Sequence, residues 1–110
     1  MVEAVLQRVL LARLNTIPGV WCWRANTGMA RMGDRTVAFG IKGQADISGL
    51  IGPRGRRLEI EVKSDTGRQS PEQIAFQHRV EALGGLYILA RDIDATLSAV
   101  SAAAFEARHA

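Results

Sequence analysis

Cysteine is nearly missing: Cys22 stands alone among 110 residues, which excludes an intramolecular disulfide framework. The two histidines, His78 and His109, read as exposed surface residues, and no Cys/His cluster could hold zinc. Any metal would have to sit on oxygen ligands. Long apolar runs are missing too; the longest is a few residues against the roughly 20 that span a bilayer, and no basic-then-apolar leader opens the chain. The protein is therefore expected to be soluble and intracellular. What is present suits a compact domain: 47% hydrophobic and 23% charged residues, close to globular averages. At about 100–150 residues per domain, the length gives a single domain over residues 1–110.

Lysine is scarce, with Lys42 and Lys63 against twelve arginines. The bias suits planar phosphate contacts and equally follows from codon usage. The net charge of +3 is unevenly spread: residues 20–68 hold nine basic side chains against five acidic, while residues 69–110 hold three against five. The middle of the chain is the electropositive part.

Apolar residues at helical spacing (Val2, Val5, Leu6, Val9, Leu10) predict an amphipathic helix over 2–14, closed by Pro18-Gly19. Val20–Trp23 has strong β propensity, with at least one of Trp21 and Trp23 read as a core residue rather than a base-stacking one. Arg24–Gly43 reads as a long basic loop or hairpin. Two strands, Ala45–Leu50 and Leu58–Lys63, are joined by the turn Gly52-Pro53-Arg54-Gly55 as an antiparallel hairpin. Ser70-Pro71-Glu72-Gln73 marks a helix start, with an apolar stripe of Ile74, Phe76 or Gln77, Val80 and Leu83. Gly84-Gly85 stops it before the strand Leu86–Leu89, and Asp92 or Asp94 caps a last, Ala-rich helix. The predicted order is αβββαβα.

The chemistry concentrates on the third strand. Side chains alternate across a strand, so Leu58, Ile60 and Val62 face the core while Glu59, Glu61 and Lys63 share the opposite face. Antiparallel pairing can bring Asp46 beside Glu61 and Lys63. Clustered carboxylates repel unless a cation neutralises them, and oxygen ligands select a hard ion, magnesium or manganese. The plain alternative is a solvated strand face with weak surface ion pairs.

The combination resembles the PD-(D/E)xK nuclease superfamily, and within it the VRR-NUC (virus-type replication-repair nuclease) branch. The resemblance rests on Glu3 in the first helix, Gly43-Gln44-Ala45-Asp46, Glu61-Val62-Lys63, and Gly67 to Gln73 leading into the second predicted helix. Ala45 stands where the superfamily has its eponymous proline. The resemblance implies an α/β, restriction-endonuclease-like αβββαβ core, a central mixed sheet flanked by helices, plus a C-terminal helix. It also implies that Asp46 and Glu61 hold Mg2+ or Mn2+ together with the backbone carbonyl of Val62, while Lys63 polarises the attacking water. Gln73 has two readings, a capping-box residue or an amide reaching the site to orient Lys63 or the water. Glu3 is either a helix-surface charge or the residue that completes the acidic cluster, a place Glu59 could also take.

Arg24, Asn26, Arg31, Arg35 and Lys42, in a Gly-rich stretch leading into Asp46, are assigned to the DNA backbone. The expected function is thus a metal-dependent endodeoxyribonuclease that is structure-selective for branched DNA such as a Holliday junction. It would work in the cytoplasm of a bacterial or phage-infected cell. Coordinated cutting of two strands asks for two sites, so a homodimer is expected, with the last helix and the apolar face of the first as contact surfaces. The rivals are a non-catalytic nucleic-acid-binding or assembly module on the same fold, and a small protein-interaction domain with neither metal nor DNA affinity.

Overall fold

The computed structural model describes residues 2–25 and 28–110. In chain order the elements are α1 (Glu3–Leu14), β1 (Val20–Arg24), β2 (Gly28–Met32), β3 (Arg35–Phe39), β4 (Ile47–Ile51), β5 (Arg56–Val62), α2 (Pro71–Ala82), β6 (Leu86–Ala90) and α3 (Ile93–Arg108). One sheet runs β1-β4-β5-β6, with β1, β4 and β5 antiparallel and β6 parallel to β5. The central mixed sheet and flanking helices are those expected.

Helices α1 and α3 fill one face of this sheet. Leu6, Leu10 and Leu14, one turn apart, bury against Ile47, Ile51, Leu58, Ile60 and Val62, with Val100 and Ala104 arriving from α3. Burial of each Leu contributes about 1.5–3 kcal/mol. The apolar stripes of α1 and α3, expected to serve a dimer, are occupied by the protomer's own sheet. Helix α1 stops at Leu14, before Pro18-Gly19, because Asn15 turns the chain: its amide accepts from Cys22 N at 2.8 Å and donates to Leu11 O and Cys22 O. Asp92, not Asp94, caps α3, accepting from Ala95 N at 2.8 Å.

The stretch expected as a basic loop or hairpin contains a two-stranded ribbon, β2–β3, turning at Gly33, whose φ of 67° favours glycine. Its side chains are exposed except for half-buried Ala30 and Val37. Its root touches the site: Ala25 N donates to Asp46 O at 2.9 Å.

Helix α2 lies against the second face of the sheet, at the β6 end, and buries none of its residues fully. Phe76, Gln77 and Val80 are half-buried, Ile74 is exposed, and Leu83 is 84% exposed. The expected apolar stripe is only partly used, because the sheet face opposite is polar and offers α2 little to bury against.

Candidate metal and catalytic site

The sheet register explains the site. Ile47 pairs with Ile60, so Asp46, one residue earlier, falls opposite Glu61. Asp46 Oδ2 accepts from Val62 N at 2.8 Å, which fixes its carboxylate across the end of β5. Glu61 is only 3% exposed, and its neighbour on the same face, Glu59, 1%. These are not carboxylates of a solvated strand face, and that plain alternative does not hold.

The two glutamates are kept differently. Glu59 accepts from Ser48 Oγ and from Arg57 Nε, both at 2.8 Å, so its charge is fully answered. Glu61 is under-provided. Its Oε2 accepts from Gln73 Nε2 at 3.1 Å and lies 3.7 Å from Lys63 Nζ, while its Oε1 is buried without a hydrogen-bond partner. Burial pushes the Glu61 carboxyl up to about 8; the adjacent Asp46 charge raises it further and Lys63 pulls it partly back. No donor of the protein reaches this oxygen, and a hydrogen bond to Asp46 favours the protonated carboxyl, so the ionised pair is a poor apo arrangement and a good ligand set.

Gln73 closes the capping box, and its amide reaches Glu61 rather than Lys63. Its Oε1 accepts from Ser70 N at 2.8 Å, and Ser70 Oγ accepts from Gln73 N, closing the capping box. Its Nε2 reaches Glu61. The backbone donor on one side and the carboxylate on the other fix the amide's orientation. Gly43 makes room for this arrangement: at φ 82° the loop passes so close to α2 that a Cβ would overlap the Glu72 carbonyl.

Glu3 does not join Asp46 and Glu61. Among the described residues, no group of three or more His, Cys, Asp or Glu side chains converges as a metal cluster. Its Oε2 instead accepts from Ser64 N at 3.0 Å, and Arg91 Nη1 donates to Ser64 O, so the two hold the chain directly after Lys63. Nor can Glu59 complete the cluster, being bound to Arg57 and Ser48. The side-chain donor set is therefore Asp46 and Glu61. With the neighbouring Val62 carbonyl, it fits a hard divalent cation that keeps several waters.

The basic residues are dispersed. Arg24 lines a depression with Ala4, Gln7, Arg8 and Leu11 on the α1 side, away from the carboxylates. Register puts Arg31 and Arg35 on opposite faces of the ribbon, so they cannot track one strand together from the same face. Lys42 is highly exposed and pairs with Glu72 at 3.8 Å, and Asn26 lies outside the described residues. Sequence reasoning missed the Ser48–Glu59–Arg57 cluster, although Ser48 and Glu59 are a direct cross-strand pair. Nor does either tryptophan supply the fully buried core residue expected of at least one of them. Trp21 is 64% exposed and Trp23 half-buried, because Val20 and Cys22 supply β1's core face.

No family model and no curated protein matches this sequence. Among the described residues, no helix is long and apolar enough to cross a membrane. A solved structure described as a VRR_NUC domain aligns with a TM-score of 0.61 over 89% of this chain and 91% of that one, at 17% identity. Its likeness extends over nearly the whole of both chains, and at that identity it is a likeness of architecture. The chain has the VRR-NUC fold, a restriction-endonuclease-like arrangement.

Proposed function

We propose that this chain is a metal-dependent endonuclease that hydrolyses DNA phosphodiester bonds. The observation that carries the reading is the buried, partnerless Oε1 of Glu61 beside Asp46, with the Lys63 ammonium at the same carboxylate. The nuclease-like fold supports it by analogy of architecture.

Asp46 and Glu61, with the Val62 carbonyl, would hold Mg2+ or Mn2+. Such an ion lowers the pKa of bound water and neutralises charge on a phosphate oxygen. Gln73 keeps Glu61 aimed, and Asp46 is aimed by Val62 N. Lys63, 16% exposed on its side chain, can reach solvent and a docked phosphate together. Its ammonium offsets charge developing on the phosphorane and orients a water for in-line attack. Glu3 and Arg91 act through the Lys63–Ser64 backbone, as positioning residues. The reading includes selectivity for branched DNA, and a two-fold dimer would supply the second site for paired cuts. Its interface would lie away from the buried stripes of α1 and α3.

The test is cleavage of plasmid, flap and four-way-junction DNA with and without magnesium, alongside Asp46→Asn. Cleavage by the wild type that needs the metal and disappears in Asp46→Asn is expected. Metal-independent cutting, or magnesium binding unchanged by Asp46→Asn in calorimetry, would remove the assignment. DNA binding without cleavage under any divalent ion would favour the non-catalytic module.

A further inference from the structure

The second face of the sheet is only half covered. Register places Asp46 and Glu61 in one row across the strands, Trp23, Ser48, Glu59 and Tyr87 in the next, and Trp21, Leu50 and Arg57 in the one after. Helix α2 shelters the β6 end of these rows. At the β1 end lie both tryptophans of the chain. Their rings are tilted at 53° with centroids 4.9 Å apart, which leaves Trp21 largely in solvent. Indole is among the largest apolar surfaces a residue can bury, and Val20 and Cys22 already fill the core side of β1, so packing does not account for this pair.

A fixed cation stands beside them. Arg57 lies over the Trp23 ring at 5.7 Å, and its Nε is anchored on buried Glu59. Beyond Arg57 the surface continues into a cleft of about 280 Å3 lined by Ile41, Phe76, Arg79 and Val80. The acid in that cleft, Glu59, is bound to Arg57 and Ser48, so the accessible charge is positive. Aromatic faces interleaved with arginine are the chemistry that binds unpaired nucleobases and the phosphates between them. The same charge disfavours a second copy of this basic chain.

We propose that Trp21, Trp23 and Arg57 form a stacking platform for unpaired bases of the strand whose phosphate lies at Asp46 and Glu61. The proposal rests on the nuclease reading. From strand spacing and rise, Trp23 is about 12 Å from Glu61, the rise of about three nucleotides at duplex spacing. Paired bases hide their faces within the helix, so the platform selects frayed, branched or single-stranded DNA.

The two tryptophans also make intrinsic fluorescence a direct probe. A 20-nucleotide oligothymidylate and a blunt duplex of equal length are titrated into the full chain in calcium, with Trp21→Ala and Trp23→Ala in parallel. The expected result is quenching by the single strand and much less by the duplex. Each substitution should weaken single-strand binding about 5- to 100-fold, with an unchanged salt slope. If an alanine variant fails to fold by circular dichroism, Trp21→Leu keeps the apolar bulk without the stacking face and should show the same loss, and Trp21→Phe should retain binding.

Equal quenching by duplex and single strand overturns the platform, as does undiminished affinity in a folded Trp21→Ala or Trp21→Leu protein. So does a substitution that halves the mass in light scattering while leaving affinity per protomer intact, since the face would then join two copies. Metal-dependent cleavage by the wild type with undiminished variant affinity removes the platform and leaves the nuclease. Loss of single-strand binding in a protein that never cleaves removes the nuclease and leaves the platform.

Discussion

The two faces of the four-stranded sheet follow opposite rules. Against α1 and α3, every buried side chain from β4 and β5 is apolar: Ile47, Ile51, Leu58, Ile60 and Val62, with Gly49 between the first two. Against α2 the same strands present Ser48, Glu59 and Glu61, as deeply buried, and carboxylates at that depth must be answered by specific partners. One face stabilises the fold with little regard to detail. The other depends on individual atoms, and at Glu61 its requirements are incompletely met. Burial alone therefore does not identify core.

Substitutions on the two faces should separate stability from chemistry. The largest expected effect is on the polar face: Lys63→Ala lowers cleavage in magnesium by about 10²- to 10³-fold, with the thermal midpoint nearly unchanged, checked by gel assay and calorimetry on the same preparation. Near-normal cleavage by that variant would remove Lys63 from the chemistry. On the apolar face, Leu10→Ala should cost about 2–5 kcal/mol in urea unfolding while turnover per folded molecule stays at the wild-type level.

How far the sequence anticipates each face differs in kind. Periodicity identified the apolar side of β5, because burial of aliphatic residues leaves a two-residue repeat. That Asp46, Glu61 and Lys63 lie together was legible through spacing and family likeness. Lys42 and Glu72 illustrate what was not, since an ion pair between a loop and a helix leaves no periodic trace. Glu59 was misjudged because nothing in Leu-Glu-Ile-Glu-Val-Lys tells a buried glutamate from a solvated one; that depends on Arg57 and Ser48, one of them from another strand. The α2 stripe and the expectation of a core tryptophan failed for a related reason. Apolar spacing says that a face can be buried, not that a partner is there to cover it.

A smaller effect sharpens the contrast through pH. Glu61 holds its proton up to about 8 in the folded protein and to its ordinary 4.5 when unfolded. Between those values the folded state binds more protons, so this group's stabilisation is complete below about 4.5, declines as pH rises and is gone above about 8. In chelator, Glu61→Gln should remove that decline and be the more stable protein at pH 8.5, on the order of 2 kcal/mol. Magnesium added to the wild type should recover the loss, and its affinity should climb with pH until about 8. Parallel stability profiles for the two proteins would show that Glu61 is not the strained group. The smallest change is expected for His78→Ala on the exposed side of α2, within about 0.5 kcal/mol and without effect on cleavage.

Gln73 ties the timing of the site to the end of a helix. One amide closes the first turn of α2 and also holds Glu61, so each fraying event at Ser70–Gln73 releases the carboxylate. Terminal turns open far more often than whole domains unfold. The fraction of molecules with Glu61 held by Gln73 at any instant is therefore bounded by local opening of that turn, and amide exchange at Gln73 would report it directly. On the proposed nuclease reading, lengthening the lifetime of four residues at a helix start would raise the competent population without altering Asp46, Glu61 or Lys63.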